Sequence, residues 1–216
     1  MKTIFKRLVA CALVALAALS HAETTKPTKP PAAQVPPSAP DPAGPPVSPQ
    51  AAKFLGKRLH LQTNVWYENP DQIFSTTYHM GSILPVGTEV MITEITDKAL
   101  KFNLTESKAS FTMLNVNRAN QNMTTDELAD LFFSEADPLK GNTAFHGFTE
   151  EEKKNVRLGK IEPGMRREAV IMAYGHPPRQ TPEPMNDNVW IYWDNPEMKR
   201  IVLFENDRVI KVVESK

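Results

Sequence analysis

The residues of this 216-residue chain best suited to acid–base or metal chemistry are its five histidines, His21, His60, His79, His146 and His176. A metal site needs ligands brought together, and close pairing along the sequence, as in two histidines one helical turn apart, is a common device. No two of these histidines stand at such a spacing. His60 falls in an alternating stretch, His79 near a turn, His146 in a loop, and His176 between a glycine and two prolines. Each is read as a solvated or hydrogen-bonded side chain. The densest carboxylate run, Glu150-Glu151-Glu152 in "FTEEEKK", coincides with an expected helix start, where the macrodipole favours acids. The sole cysteine, Cys11, lies in an apolar run close to the N-terminus, so no thiol chemistry is expected beyond it. Spacings for a nucleophile elbow, a phosphate loop, a zinc-protease helix or a calcium loop do not occur. The expectation is a protein with no catalytic, cofactor-binding or metal-binding residues.

That apolar run belongs to an address. Lys2, Lys6 and Arg7 precede the uncharged stretch Leu8 to Leu19, and Ser20-His21-Ala22 puts small residues at both key positions of a cleavage site. The pattern predicts a signal peptide over 1–22. The stretch falls short of the ~20 residues a spanning helix needs. Leu8-Val9-Ala10-Cys11 has the residue types of a lipoprotein-processing box. It follows Arg7 directly, however, with no apolar stretch before it, and reads as part of a discarded leader. An exported chain is expected, in the periplasm or on the periplasmic face of the outer membrane, and without disulfides its stability rests on core burial.

Over the whole chain, 25 basic residues balance 25 acidic ones. That balance excludes the strongly basic footprint of a nucleic-acid binder. Ten of the 19 prolines lie between Pro27 and Pro49, in a stretch with almost no large apolar side chain. Such a segment buries too little surface to offset its ordering entropy and favours polyproline II. Residues 23–52 are therefore expected to be a Pro-rich disordered linker, serving as leader, stalk or docking strip.

The composition turns globular near Phe54. From 54 to 118 the chain reads as short strands. "RLHLQTNVWYE" places Leu59, Leu61, Thr63 and Val65 on one face, and "ILPVGTEVMITEI", "ALKFNL" and "SFTMLNV" supply further strands, so a small barrel or curled sheet is expected. A helical connector is expected over 119–147. Its helix, about 125–135, is announced by the capping box Thr124 with Glu127. A second capping box, Thr149 with Glu152, opens another helix that Gly159 ends. A third helix, about 166–174, groups Met165, Ala169, Val170, Met172 and Ala173 on one face, with Gly175 and Pro177-Pro178 stopping it. Three strands follow at 188–194, 199–205 and 208–214, separated by turn residues Asn195-Pro196 and Asn206-Asp207.

Gly164-Met165, Val170, Gly175-x-Pro177, Trp190-x-Tyr192 and Phe204, in that order, resemble the BamE/SmpA/OmlA family of small outer-membrane assembly proteins. The resemblance covers about residues 148–214, within an expected domain of 148–216. The stretch "LPVGTEVMITEI" is similar to the strand pair of bacterial SH3-like barrels. Together the two resemblances imply an α+β chain, with an SH3-like β region followed by an ααβββ two-layer sandwich. They imply a non-enzymatic envelope protein that assists outer-membrane protein assembly or envelope maintenance. A periplasmic inhibitor or a peptidoglycan-binding module is the alternative. Arg166 stands where the family often carries a capping threonine.

The apolar strands raise one further expectation. Two helices cover only one face of a three-stranded sheet, and large exposed apolar patches are uncommon on monomers. The second face must meet either the β-rich region or a partner from among the envelope proteins. Trp193, Ile191 and Val202 are the candidate partner-binding residues, with Trp193 as anchor.

Overall fold

The computed structural model describes residues 53–74, 78–115, 123–178 and 188–216. The expected signal peptide (1–22) and Pro-rich linker (23–52) lie outside the described residues. The described residues form one compact unit of α+β composition, built around two separate hydrophobic cores.

The first core belongs to a six-stranded sheet. Its strands are β1 (Arg58–Leu61), β3 (Ile73–Phe74), β5 (Glu89–Ile95), β6 (Ala99–Leu104), β7 (Ser110–Leu114) and β8 (Phe133–Ser134), in the order β3-β7-β6-β5-β1-β8. Alternation sends Leu100 and Phe102 inward from β6 and Phe111 and Met113 inward from β7. Two short strands, β2 (Val65–Tyr67) and β4 (Ser82–Leu84), pair separately.

The stretch from Arg58 to Tyr67 is not the single strand its alternation suggests. It breaks after Leu61, because Asn64 is drawn inward to bond distant helix ends, and a residue so committed cannot continue a strand ladder. Helix α1 (Thr125–Phe132) starts at the expected capping box. It stops three residues earlier than expected, where Phe133 and Ser134 turn extended and pair with Leu61 and His60. Leu128, Ala129 and Phe132 of α1 pack into the first core.

The second core lies under α2 (Glu150–Leu158), α3 (Arg167–Tyr174) and an antiparallel meander of β9 (Val189–Asn195), β10 (Met198–Glu205) and β11 (Arg208–Ser215). Asn206 and Asp207 both take positive φ, 48° and 59°, which is the turn geometry that matches strand twist in a two-residue hairpin. Val156 of α2 and Ala169, Val170 and Ala173 of α3 meet Trp190, Tyr192, Val202, Phe204 and Val209 of the sheet.

α3 lacks a side-chain cap of its own, since Arg166 cannot serve as one. Glu152 instead anchors the residue at the helix boundary. Its carboxylate accepts the Arg166 backbone N–H at 2.9 Å while also closing the capping box of α2 through the Thr149 N–H at 2.9 Å. Burial would raise the pKa of Glu152, yet these hydrogen bonds and the Arg166 charge outweigh burial and hold it below its ordinary value. Glu152 thus links the starts of two helices.

Candidate functional site

The residues of the Gly-Met…Trp-x-Tyr pattern sit inside the second core or at its hinges. Met165, Val170, Trp190, Tyr192 and Phe204 are buried, as is Pro177. Gly164 donates its N–H to Val209 at 2.7 Å, pinning the start of α3 to β11. Gly175 ends α3 at φ 85°, ψ 177°, a conformation open essentially to glycine alone.

Among the three candidate partner-binding residues the structure separates Val202 from the other two. Val202 pairs with Trp190 and Val212 and is fully buried under the helices. It belongs to the closed face, because the turn at Asn195 carries an irregularity between Met198 and Lys199 that sets the parity of β10. Ile191 and Trp193 point the other way. The open face is built of three rows running across the sheet: Trp193, Lys199 and Ser215; Ile191, Ile201 and Val213; Val189, Leu203 and Lys211. Ile191, Trp193, Ile201, Leu203 and Val213 are half-buried, and Val189 is exposed. None of these six belongs to either core. Lys199 sits 4.5 Å above the Trp193 ring, so its ammonium group and that indole face already pair as cation and π-system.

The first lobe reaches the second through three residues that sequence reasoning did not single out for this role. Asn64 is buried, and its amide donates to the Val156 and Ala173 carbonyls at 2.7 and 2.9 Å, near the C-terminal ends of α2 and α3. Its side-chain oxygen accepts the Val86 N–H at 2.8 Å. Every polar group of this side chain is used to join the lobes. Trp66 lies against Gly159, where an added Cβ would come within 2.7 Å of its ring. His79 stacks on Tyr174 with ring centroids 3.5 Å apart and stands edge-on to Trp66 and Tyr192.

Around this clamp runs a polar network. The Tyr174 hydroxyl donates to Asp194, and Arg200 bonds the same carboxylate at 2.7 and 3.1 Å and reaches Glu214 at 3.0 Å. Burial, then the bond to Asp194, push the Tyr174 phenol well above its ordinary value. For Arg200 burial acts downward, but the Asp194 bond and the surrounding groups outweigh it and hold the guanidinium charged. The Tyr192 hydroxyl is buried, is pushed up for that reason, and donates to the Gly175 carbonyl at 3.0 Å. With its phenols kept protonated and its carboxylate tied to an arginine, the network locks geometry in place and presents no activated nucleophile or base.

The other histidines are dispersed. His60 stands 4.0 Å from Asp137, and His146 lies in a 3₁₀ turn beside Thr143. No group of three or more metal-ligating side chains occurs among the described residues. The signal that could have marked the clamp was weak: a lone Asn within an alternating stretch and a lone His near a turn are common in loops. Compared with known proteins, this chain matches no family profile, no curated protein and no solved structure.

Proposed function

We propose that this protein is a non-enzymatic interaction module of the cell envelope, assisting outer-membrane protein assembly or envelope maintenance. The carrying observation is the open face of the β9-β10-β11 sheet, where Ile191, Trp193, Ile201, Leu203 and Val213 lie side by side outside both cores. A sheet closed by two helices on one side and apolar on the other is a two-layer scaffold with room for a third layer. The order helix, helix, three-stranded meander, with Gly164 at the entry to the second helix and Met165, Trp190 and Tyr192 in its core, supports a BamE-like reading of this half. The short-stranded first half supports an SH3-like one.

The leader sequence supports the envelope address. Processing after Ala22 would give a mature chain that starts at Glu23, and mass spectrometry of that terminus tests it.

The interaction reading is tested by placing a photo-crosslinking residue at position 193 and irradiating cells that express the chain. Adducts with subunits of the outer-membrane assembly machinery are expected, and they should disappear when Ile201→Lys is added. Adducts with murein, or the absence of any adduct, would overturn the reading. Because Trp193 and Ile201 lie outside both cores, their replacement should change stability by about 1 kcal/mol or less.

A further inference from the structure

The open face of the β9-β10-β11 sheet carries a charge pattern besides its apolar rows. Lys199 stands in the first row and Lys211 in the third. Neither has an ion-pair partner among the described residues. Glu205 and Arg208, one step beyond the third row, stand opposite each other across the hairpin and offset in charge. The face is therefore apolar along its middle and positive toward both ends. Lys211 is in register with Leu203, four residues along β10 from Lys199, which is about 13 Å along the strands. Three strands about 4.8 Å apart make the face about 10 Å wide, the width of one α-helix.

We propose that this face binds one amphipathic helix of a partner protein, with acidic side chains at both ends of its apolar stripe. The inference rests on the reading of this face as an interaction surface and names the chemistry of the partner. An extended segment laid on a sheet face would leave its own backbone N–H and C=O groups unpaired in the contact, whereas a helix satisfies them internally. One helix matches the face in width, and about 13 Å takes about two to three of its turns, enough for a stripe at i, i+3, i+4 and i+7. Carboxylates at the two ends of that stripe complement Lys199 and Lys211 and set the helix along the strands. A second copy of the chain would instead bring a face of the same positive sign. A flat anionic lipid surface would extend past the face to Glu197 and Glu205, which are exposed at the two hairpins.

The probes are two synthetic amphipathic peptides of about eighteen residues, long enough to be helical in isolation. Both carry the same leucine stripe; one has glutamate at the ends of the stripe and the other lysine. Each is titrated into the full chain by isothermal calorimetry, beside mixed phosphatidylglycerol–phosphatidylcholine vesicles. The glutamate peptide should bind saturably and about tenfold tighter than the lysine peptide at low salt, and the difference should shrink as salt rises. Lys199→Glu combined with Lys211→Glu should reverse the preference. Ile201→Lys should remove the binding of both peptides while leaving far-ultraviolet circular dichroism unchanged. Equal binding of the two peptides, or a preference that the double reversal does not move, overturns the proposal; if Ile201→Lys abolishes that binding, the interaction face itself stands. Absence of binding by either peptide, or binding to the vesicles alone, also overturns it, and the adducts from position 193 decide the interaction reading separately.

Discussion

At the scale of single residues, His79 carries the sharpest consequence. Its Nε2 lies 2.7 Å from the Tyr174 carbonyl and its Nδ1 3.2 Å from the Trp193 carbonyl. A neutral imidazole owns one N–H, and the shorter contact assigns it to Nε2. Protonation would satisfy both carbonyls, and Asp194 favours it, but desolvation between three aromatic rings dominates, with Arg200 adding to it, and the pKa falls from 6.5 to about 4. The unfolded chain therefore binds a proton at His79 that the folded chain refuses. The stability linked to this group is complete above pH 6.5 and is lost as pH falls toward 4, by about 3 kcal/mol. Urea unfolding at pH 7 and pH 4 should show that loss. Glu150, Glu152 and Asp137, whose pKa values are also lowered, lose stability in the same direction. The share belonging to His79 is the part of the pH dependence that His79→Gln removes, and an unchanged pH profile in that variant would contradict the assignment.

At the scale of elements, the end of α2 shows how one position serves two purposes. Gly159 closes the helix in the left-handed conformation, at φ 61° and ψ 45°, and accepts the Trp66 ring at a distance no side chain permits. Gly159→Ala meets both obstacles. The left-handed strain costs about 1 kcal/mol, and an added Cβ 2.7 Å from Trp66 and 2.9 Å from Ile83 forces the β2–β4 pair away from the helix. A total loss of about 3 kcal/mol is expected in chemical denaturation. The same position shifts the Trp66 environment, so a changed tryptophan emission in the native state should accompany it. Asn at 159 would relieve the backbone strain and leave the clash, which separates the two contributions.

At the scale of the whole molecule, two cores share one compact unit because the contacts between them are polar and specific. Asn64 ties three distant backbone groups together, and the Trp66–His79–Tyr174 cluster fills the space beside it. The described chain is expected to unfold in one cooperative transition. Asn64→Ala leaves the Ala173 carbonyl and the Val86 N–H without the partner they have, at about 1–3 kcal/mol for each buried group. In calorimetry that variant should lose about 3 kcal/mol and broaden or split the transition, since the lobes would retain their own cores. A single sharp transition of unchanged midpoint would show that Asn64 does not couple them.

Much of the local structure was legible in the amino acids. Thr124 with Glu127 and Thr149 with Glu152 announced their helices, Gly159 its stop, and Asn206-Asp207 its hairpin, because capping and turn preferences act over three or four residues and need no distant partner. The two faces of β9 followed from alternation alone. The face of Val202 did not, since one irregularity in a hairpin moves every later residue of the strand to the other side. Nor did the break at Gln62 to Asn64, the anchoring of Arg166 by Glu152, or the enclosure of His79. In each of these the deciding group lies far along the chain, and the sequence carries only the residue type, not the partner. Sequence alone thus determined where helices and turns begin and end. Only the packing of two cores against each other decided which polar side chains are locked and which apolar face lies outside both cores.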